Sequence, residues 1–571
     1  MADPLLVRVP AGLIRGFEDT CPLTDVSSGI TGKTGDRARV HKWLGVPYGE
    51  AGRWERPKAC TAWQGVKQCL EFGPLPMQAE GLMERSNSFS NAGAFYRQHL
   101  GKSEDCLTIN VWKPASVPND ARVPVMFYIH GGALASSSGH GSLIHNDPTE
   151  TVRQSEAEST PVIIVTLNYR VSIFGFMAHS DLRSLDHEGL SGNYGFYDQI
   201  AALRFVNANI SHFGGDPKKI MVFGESAGGV SIASFIARKG SASEKLFRYG
   251  ELMEEGQGFR PLDTVYPLYN KLLANFNISS TDPLERLTAL KAIPATDMLH
   301  FAASNPFHGG WAGTIETGPN ASWPVEPAVA IRNGSFGALE SVFLGNNQHE
   351  GTLFGPTMMM NTPQGYEAQL RRLPSSLAAK LRKLYPAPTE RDPDFINSPG
   401  VQLIGDELFY GPMAALLKAF TLPQHSDKVP KIFAYQFRYL FEGMTSNKLL
   451  GSHHILESPF LFRTTSMWTP ESDQEVSSKA AARTWIHYAY HGSPGAEYKP
   501  YTRDDPKWLL LGPEKGEIRQ TPMNAENGWE EDKMQCWIEA LENGDAKIFA
   551  DGRGEMLPDI PTAWPRLGDS K

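Results

Sequence analysis

Cysteine is scarce in this chain: five in 571 residues. Cys21, Cys60, Cys69, Cys106 and Cys536 are scattered without the short paired spacings of a metal site, so no metal or other cofactor is expected. An odd number leaves at least one thiol free unless chains are cross-linked, which points to a reducing, cytoplasmic setting. Long apolar runs are missing too. The longest, such as 162–165, have strand length and fall far short of the ~20 residues of a membrane span. The opening Met-Ala-Asp-Pro-Leu-Leu-Val-Arg-Val-Pro has no basic stretch followed by an apolar one, so no secretion signal is expected. Without one, the Asn-x-Ser sequons at Asn209, Asn277, Asn320 and Asn333 read as chance. Lys/Arg clusters long enough to track phosphates are absent and the net charge is −9, which argues against a nucleic-acid partner. Internal repeats and low-complexity tracts are absent as well.

What is there is the composition of a globular protein, 41% apolar and 20% charged, with ample material for a core. Length alone suggests roughly three or four domains. One α/β sheet decorated by long insertions gives the same length, and the pattern favours it: a single unit over 1–571 with insertions near 79–102, 240–340 and 360–430. The stretch that organises the rest is Met221-Val222-Phe223-Gly224-Glu225-Ser226-Ala227-Gly228-Gly229-Val230. A strand-like apolar run meets Gly-x-Ser-x-Gly, and an apolar helical pattern follows. A serine on so sharp a strand-to-helix turn sits at strained backbone angles, and Gly224 and Gly228 are required where a Cβ would collide. The turn exposes the Ser226 hydroxyl, and the helix start behind it offers amide protons to a developing oxyanion.

In chain order, residues 79–102 are polar and read as a surface excursion, either a lid or gorge wall or a plain insertion. The apolar run 123–129 ends in His130-Gly131-Gly132-Ala133-Leu134. Small residues there let the amides of Gly132 and Ala133, with that of Ala227, approach a reacting carbonyl as an oxyanion hole. A second run, 161–167, a helical stretch, 199–207, and the nucleophile strand give the alternation of a parallel α/β sheet. Residues 240–340 read as helices and loops covering the site, including a helix at 283–293. The strand 341–345 leads to Asn346-Asn347-Gln348-His349-Glu350, and an acid just past a buried strand suits a triad carboxylate. A helical segment at 366–384 and a Pro-rich connector come next. The strand 431–437 precedes Gly451-Ser452-His453-His454-Ile455-Leu456-Glu457.

With these residues assembled, the chain resembles the type B carboxylesterases, the family that includes the cholinesterases, over most of its length. The resemblance rests on Gly224-Glu225-Ser226-Ala227-Gly228-Gly229 and on Ser103-Glu104-Asp105-Cys106-Leu107. It also rests on Asn168-Tyr169-Arg170-Val171 with Phe174-Gly175-Phe176, on Gly192-Asn193-Tyr194-Gly195 with Asp198-Gln199, and on Phe213-Gly214-Gly215-Asp216-Pro217. It implies an α/β-hydrolase fold, a large mostly parallel sheet with helices on both faces, and no cofactor. It implies Ser226 as nucleophile, Glu350 as acid and His454 as base, in the order Ser, Glu, His. His453 is the alternative base; the family's spacing to a glutamate, here Glu457, favours His454. Glu225 and Gly131 are expected to support the site, and His349 to be a packing or surface residue.

Departures from the family pattern are informative. Pro76 in Phe72-Gly73-Pro74-Leu75-Pro76-Met77-Gln78 stands where the partner of Cys106 is expected, which leaves Cys69 as a possible substitute. Thr288-Ala289-Leu290-Lys291 replaces the cysteine segment of the second family disulfide. Leu252-Met253-Glu254-Glu255-Gly256-Gln257 replaces a Gln-Ser-Gly segment and reads as a solvated turn or a reshaped pocket wall. Met358-Met359-Met360 reads as core filling or as a soft acyl-site lining. Ala133 at the third oxyanion position keeps its amide. The expected activity is hydrolysis of small-molecule carboxylic esters through an acyl-enzyme. An acyltransferase or lactone-forming enzyme would use the same intermediate, and a non-catalytic binding protein on this fold is the third reading. Acyl preference and oligomeric state stay open.

Overall fold

Residues 123–129 contain no charged side chain, so both faces of a strand built from them must be covered. The computed structural model shows how. Val125, Phe127 and Ile129 enter one buried cluster, Met126 and Tyr128 another, as the two-residue period of a strand requires. The division repeats in the neighbouring strands. Ile220, Val222, Ile432 and Ala434 lie on the first face; Met221, Phe223, Phe433 and Tyr435 lie on the second.

The structure describes residues 3–19, 39–79, 101–140, 147–253, 259–305, 311–429, 431–439, 450–512 and 514–545. Most of the excursion expected at 79–102 lies outside these residues, as do Cys21 and Glu254-Glu255-Gly256-Gln257. The central sheet has eleven strands: β1 (Phe17–Asp19), β2 (Val40–Pro47), β3 (Thr108–Pro114), β4 (Val123–Ile129), β5 (Ile163–Leu167), β6 (Gly215–Glu225), β7 (Tyr249–Met253), β8 (Ser341–Asn347), β9 (Ile432–Phe437), β10 (Lys507–Leu511) and β11 (Ile518–Pro522). Their order across the sheet is β11-β10-β9-β8-β7-β6-β4-β5-β3-β2-β1. Pairing is parallel from β10 to β5 and antiparallel at both margins. Parallel neighbours need crossovers. Helix α1 (Tyr194–Asn209) precedes β6, and α2 (Ala227–Ala237) leads from β6 to β7.

Two expectations are corrected. The segment 240–340 is not only a helical cover, because Tyr249–Met253 is a central strand between β6 and β8. Gly250 and Glu251 interrupt the apolar run by which a buried strand is recognised in sequence. Buried Glu251 is accommodated by the Tyr435 hydroxyl at 3.2 Å. The helix expected over 366–384 is two helices, Pro363–Leu370 and Ser375–Leu384. Pro374, which has no amide proton to donate, stands at the start of the second.

The second face of the sheet is aromatic. Phe343 is fully buried and packs at 5.4 Å from Trp485, 5.3 Å from Tyr488 and 4.8 Å from Tyr435. Trp485 and Tyr488 belong to the helix Asp473–His491, which covers this face. Phe343→Ala is expected to lower stability by about 3–5 kcal/mol, the range for emptying a packed aromatic site. A drop in the urea midpoint at unchanged slope checks it.

Because β4, β6, β8 and β9 run parallel, their carboxyl ends share one edge of the sheet. Residues 130–134, 226, 350 and 454 all follow those ends.

Candidate active site

Ser226 forms the joint between β6 and α2, with φ 54° and ψ −121°. Side-chain-bearing residues hold such angles at a cost of about 1–3 kcal/mol, and only where surrounding packing enforces them. Here the enforcement is close passage over β4. A Cβ on Gly228 would lie 2.1 Å from the Ile129 carbonyl oxygen, and one on Gly224 would lie 2.6 Å from the same atom. Ser226 itself is only partly buried.

The loop after β4 is wound the other way. Gly132, Ala133 and Leu134 have φ of 95°, 55° and 56°. The left-handed turn is closed by the amides of Ala135 and Ser136, which donate to the Gly132 carbonyl at 3.0 and 3.1 Å. A Cβ on Gly132 would meet the Ser136 oxygen at 2.3 Å, so only glycine serves there. Ala133 tolerates the positive φ and keeps its amide. Among the described residues, the amides of Gly132, Ala133 and Ala227 donate to no acceptor, the condition an incoming oxyanion requires.

Glu225 ends β6 and is buried beside this loop. Its Oε1 accepts the Gly131 amide at 2.8 Å, and a Cβ on Gly131 would stand 2.4 Å from that oxygen. Burial raises the Glu225 pKa, opposed by the nearby charge of His454 and by the Gly131 amide. Glu225 thus braces the loop from below, and His454 lies within electrostatic reach of the residue next to Ser226.

Glu350 opens a short helical turn, Glu350–Thr352, just past β8. His454 Nδ1 meets Glu350 Oε2 at 2.8 Å, both side chains buried. Glu350 Oε1 accepts the Asn347 amide at 2.5 Å. Burial raises the Glu350 pKa; the His454 contact opposes it and the neighbouring Glu457 adds to it. Glu457 is buried and accepts from the Asn347 side-chain amide. Of the two candidate histidines, it is His454 that faces Glu350. His453 turns its Nδ1 to the His454 carbonyl oxygen at 2.7 Å, and burial lowers its pKa to about 4. His349 accepts the Ser452 amide at 3.0 Å and is likewise lowered to about 4 by burial.

Sequence reasoning missed the aromatic residues around His454. The Phe409 ring lies 4.4 Å from the His454 ring and the Phe354 ring 5.1 Å from it. Phe409 belongs to a widened π-turn, Asp406–Tyr410, between the helices Pro399–Gly405 and Gly411–Phe420. The local signal is Gly411-Pro412 directly after it: Pro412 has no amide proton to give the preceding turn, so an ordinary helix cannot run through unbroken. Met360 of the methionine run is fully buried in the core.

The π-turn also carries two carboxyls, Glu407 buried and Asp406 half-buried. Burial pushes Asp406 up to about 7 against the opposing Tyr385 hydrogen bond and Lys533 charge, while Glu530 adds to the rise. Burial pushes Glu407 up to about 7 against Gln369 and Arg372. A carboxyl raised in the folded state binds more protons folded than unfolded between about pH 4 and 7. Stability from these groups is therefore greatest at low pH and is lost as pH rises to about 7. Asp406→Asn is expected to remove about one proton from that slope, read from urea midpoints between pH 5 and 8.

Cys69 and Cys106, whose pairing the sequence left open, are both free thiols, with Cys60 and Cys536 also free. Burial raises Cys69 to about 11 and Cys106 further. Among the described residues, no helix is long and apolar enough to cross a membrane.

Comparison with known proteins places the chain in a family. The model of the carboxylesterase family matches residues 22–537. The para-nitrobenzyl esterase of Bacillus subtilis is 30% identical over 516 residues, covering 87% of this chain and 94% of that one. The fumonisin B1 esterase of Sphingopyxis macrogoltabida is 28% identical, covering 82% and 81%. A solved PNB esterase superposes with a TM-score of 0.72 at 26% identity, covering 93% of this chain and 99% of that one. Fold, family model and relatives converge: this chain belongs to the carboxylesterase family and is a carboxylic ester hydrolase.

Proposed function

We propose that Ser226, His454 and Glu350 form the triad that cleaves small-molecule carboxylic esters, with the amides of Gly132, Ala133 and Ala227 as oxyanion hole. The observation that carries the reading is the buried His454–Glu350 contact at 2.8 Å on the sheet edge where the strained Ser226 turn emerges. A serine hydroxyl is a weak nucleophile until a base takes its proton. His454 takes it as Ser226 attacks the ester carbonyl. Glu350 holds the imidazole in the tautomer with Nδ1 protonated and stabilises its positive charge. The carbonyl oxygen gains charge as the tetrahedral centre forms, and unpaired amides aimed there stabilise it before any solvent need reorganise. His454 returns the proton to the departing alcohol, and water repeats the sequence on the acyl-enzyme.

The leaving alcohol departs beside His454, where Phe354 and Phe409 lie. Their rings support a preference for aryl alcohols, which can stack on them, over small aliphatic ones. The para-nitrobenzyl esterase relative, by its name, acts on such an ester.

The test is a fluorophosphonate probe followed by peptide mapping, with a panel of p-nitrobenzyl and ethyl esters. The adduct is expected on Ser226, and kcat/KM is expected to fall from p-nitrobenzyl to ethyl ester. An adduct elsewhere, or none in folded protein, would overturn the triad; an ethyl preference would overturn the alcohol assignment.

A further inference from the structure

The hydrogen bonds behind Glu350 have a direction, and the residue at their origin imposes it. Arg438 follows β9, and a guanidinium can only donate. Its Nε–H donates to Gln436 Oε1 at 2.5 Å. The amide nitrogen of Gln436 must then face the other way, and it donates to the Tyr410 hydroxyl oxygen at 2.5 Å. With its oxygen accepting, Tyr410 gives its only proton to the Asn347 carbonyl oxygen at 2.9 Å. Asn347 in turn gives its amide proton to Glu350 Oε1 at 2.5 Å, and Glu350 Oε2 meets His454.

Gln436, Tyr410, Asn347 and Glu350 are all buried, so water does not compete and each bond holds its neighbour's orientation. Burial keeps the Tyr410 phenol well above its ordinary pKa, against the Gln436 hydrogen bond, and the Glu350 charge adds to the rise. The hydroxyl therefore stays a donor throughout the working pH range. Its backbone is set by the π-turn, closed by the Gly411 amide on the Asp406 carbonyl. That turn places two successive side chains on the two members of the pair: Phe409 against the His454 ring, and Tyr410 on the residue that holds Glu350.

We propose that Tyr410 is a positioning residue for the Glu350–His454 pair, acting through Asn347 and kept in its donating orientation by Gln436 and Arg438. The proposal rests on the triad assignment above. Loosening the Asn347 segment would let the Glu350 carboxylate drift from Nδ1, and a displacement of about 1 Å is enough to slow the reaction up to about 10²-fold.

The experiment compares wild type, Tyr410→Phe, Glu350→Gln and the double variant, with active sites counted by fluorophosphonate titration so that unfolded molecules drop out. Tyr410→Phe is expected to lower kcat roughly tenfold with KM within about twofold. The acid limb of its kcat/KM profile is expected to move to lower pH, because a looser carboxylate supports the imidazolium less. In the Glu350→Gln background the same substitution is expected to have no further effect. Gln436→Met, which leaves the hydroxyl free to rotate, is expected to change kcat in the same direction. Equal losses from Tyr410→Phe in both backgrounds would mean packing alone and would overturn the proposal. So would unchanged kcat in Tyr410→Phe when Glu350→Gln is inactive. A fully active Glu350→Gln would instead overturn the triad assignment, and the Tyr410 role with it.

Discussion

Ser226→Ala is expected to lower kcat by about 10⁶ with the protein still folded. Alanine removes the hydroxyl that His454 would activate but keeps the Cβ, so the penalty at φ 54° and ψ −121° persists. Ser226→Gly removes both. It is expected to be equally inactive and to gain stability, on the order of 1 kcal/mol or more, because glycine accepts positive φ freely. The pair of variants separates chemistry from strain. A urea midpoint higher for the glycine variant than for wild type and alanine, with both variants inactive, would show that the turn stores strain for exposure of the hydroxyl. Activity of Ser226→Ala within tenfold of wild type would remove the serine from its assigned role.

Glu350→Gln is expected to lower kcat by about 10⁴, although the two side chains have nearly the same shape. The reason lies in the count of acceptors. Glu350 offers one oxygen to the Asn347 amide at 2.5 Å and the other to His454 Nδ1 at 2.8 Å. A glutamine has one oxygen and one NH₂ group. If its oxygen stays with Asn347, the NH₂ faces Nδ1 and forces the wrong imidazole tautomer, with the proton on the nitrogen that must accept from Ser226. If the oxygen turns to His454, the NH₂ opposes the buried Asn347 amide, donor against donor. The first arrangement is expected, since it leaves no buried backbone amide unpaired. Glu350→Gln should then retain fluorophosphonate reactivity at a rate lowered in proportion to kcat. Loss of folding, read from the urea transition, would point instead to a structural need for the carboxylate.

The serine turn was legible because its geometry is local. Strand, Gly-x-Ser-x-Gly and helix are consecutive, and each glycine is required by a contact within a few residues or with the adjacent strand end. The strands 123–129 and 341–345 were legible for a similar reason, since strands buried on both faces need unbroken apolar runs. Strand β7 was not, because Glu251 breaks the run and is held by Tyr435 from a strand distant in sequence. The choice between His453 and His454 rested on family spacing. In the folded chain it follows from which ring the loop turns toward Glu350.

By itself the sequence determined the class of sheet, the serine turn and the glycine-lined loop, because backbone sterics and hydrophobic periodicity act over a few residues. Tertiary structure alone decided what surrounds the histidine. Phe409, Tyr410 and Gln436 are 45, 44 and 18 residues from His454 along the chain and meet its pair only where a π-turn lies over the end of β8. Such contacts depend on how helices settle over a sheet, and pairing preferences between distant residues leave no periodic trace in a single sequence.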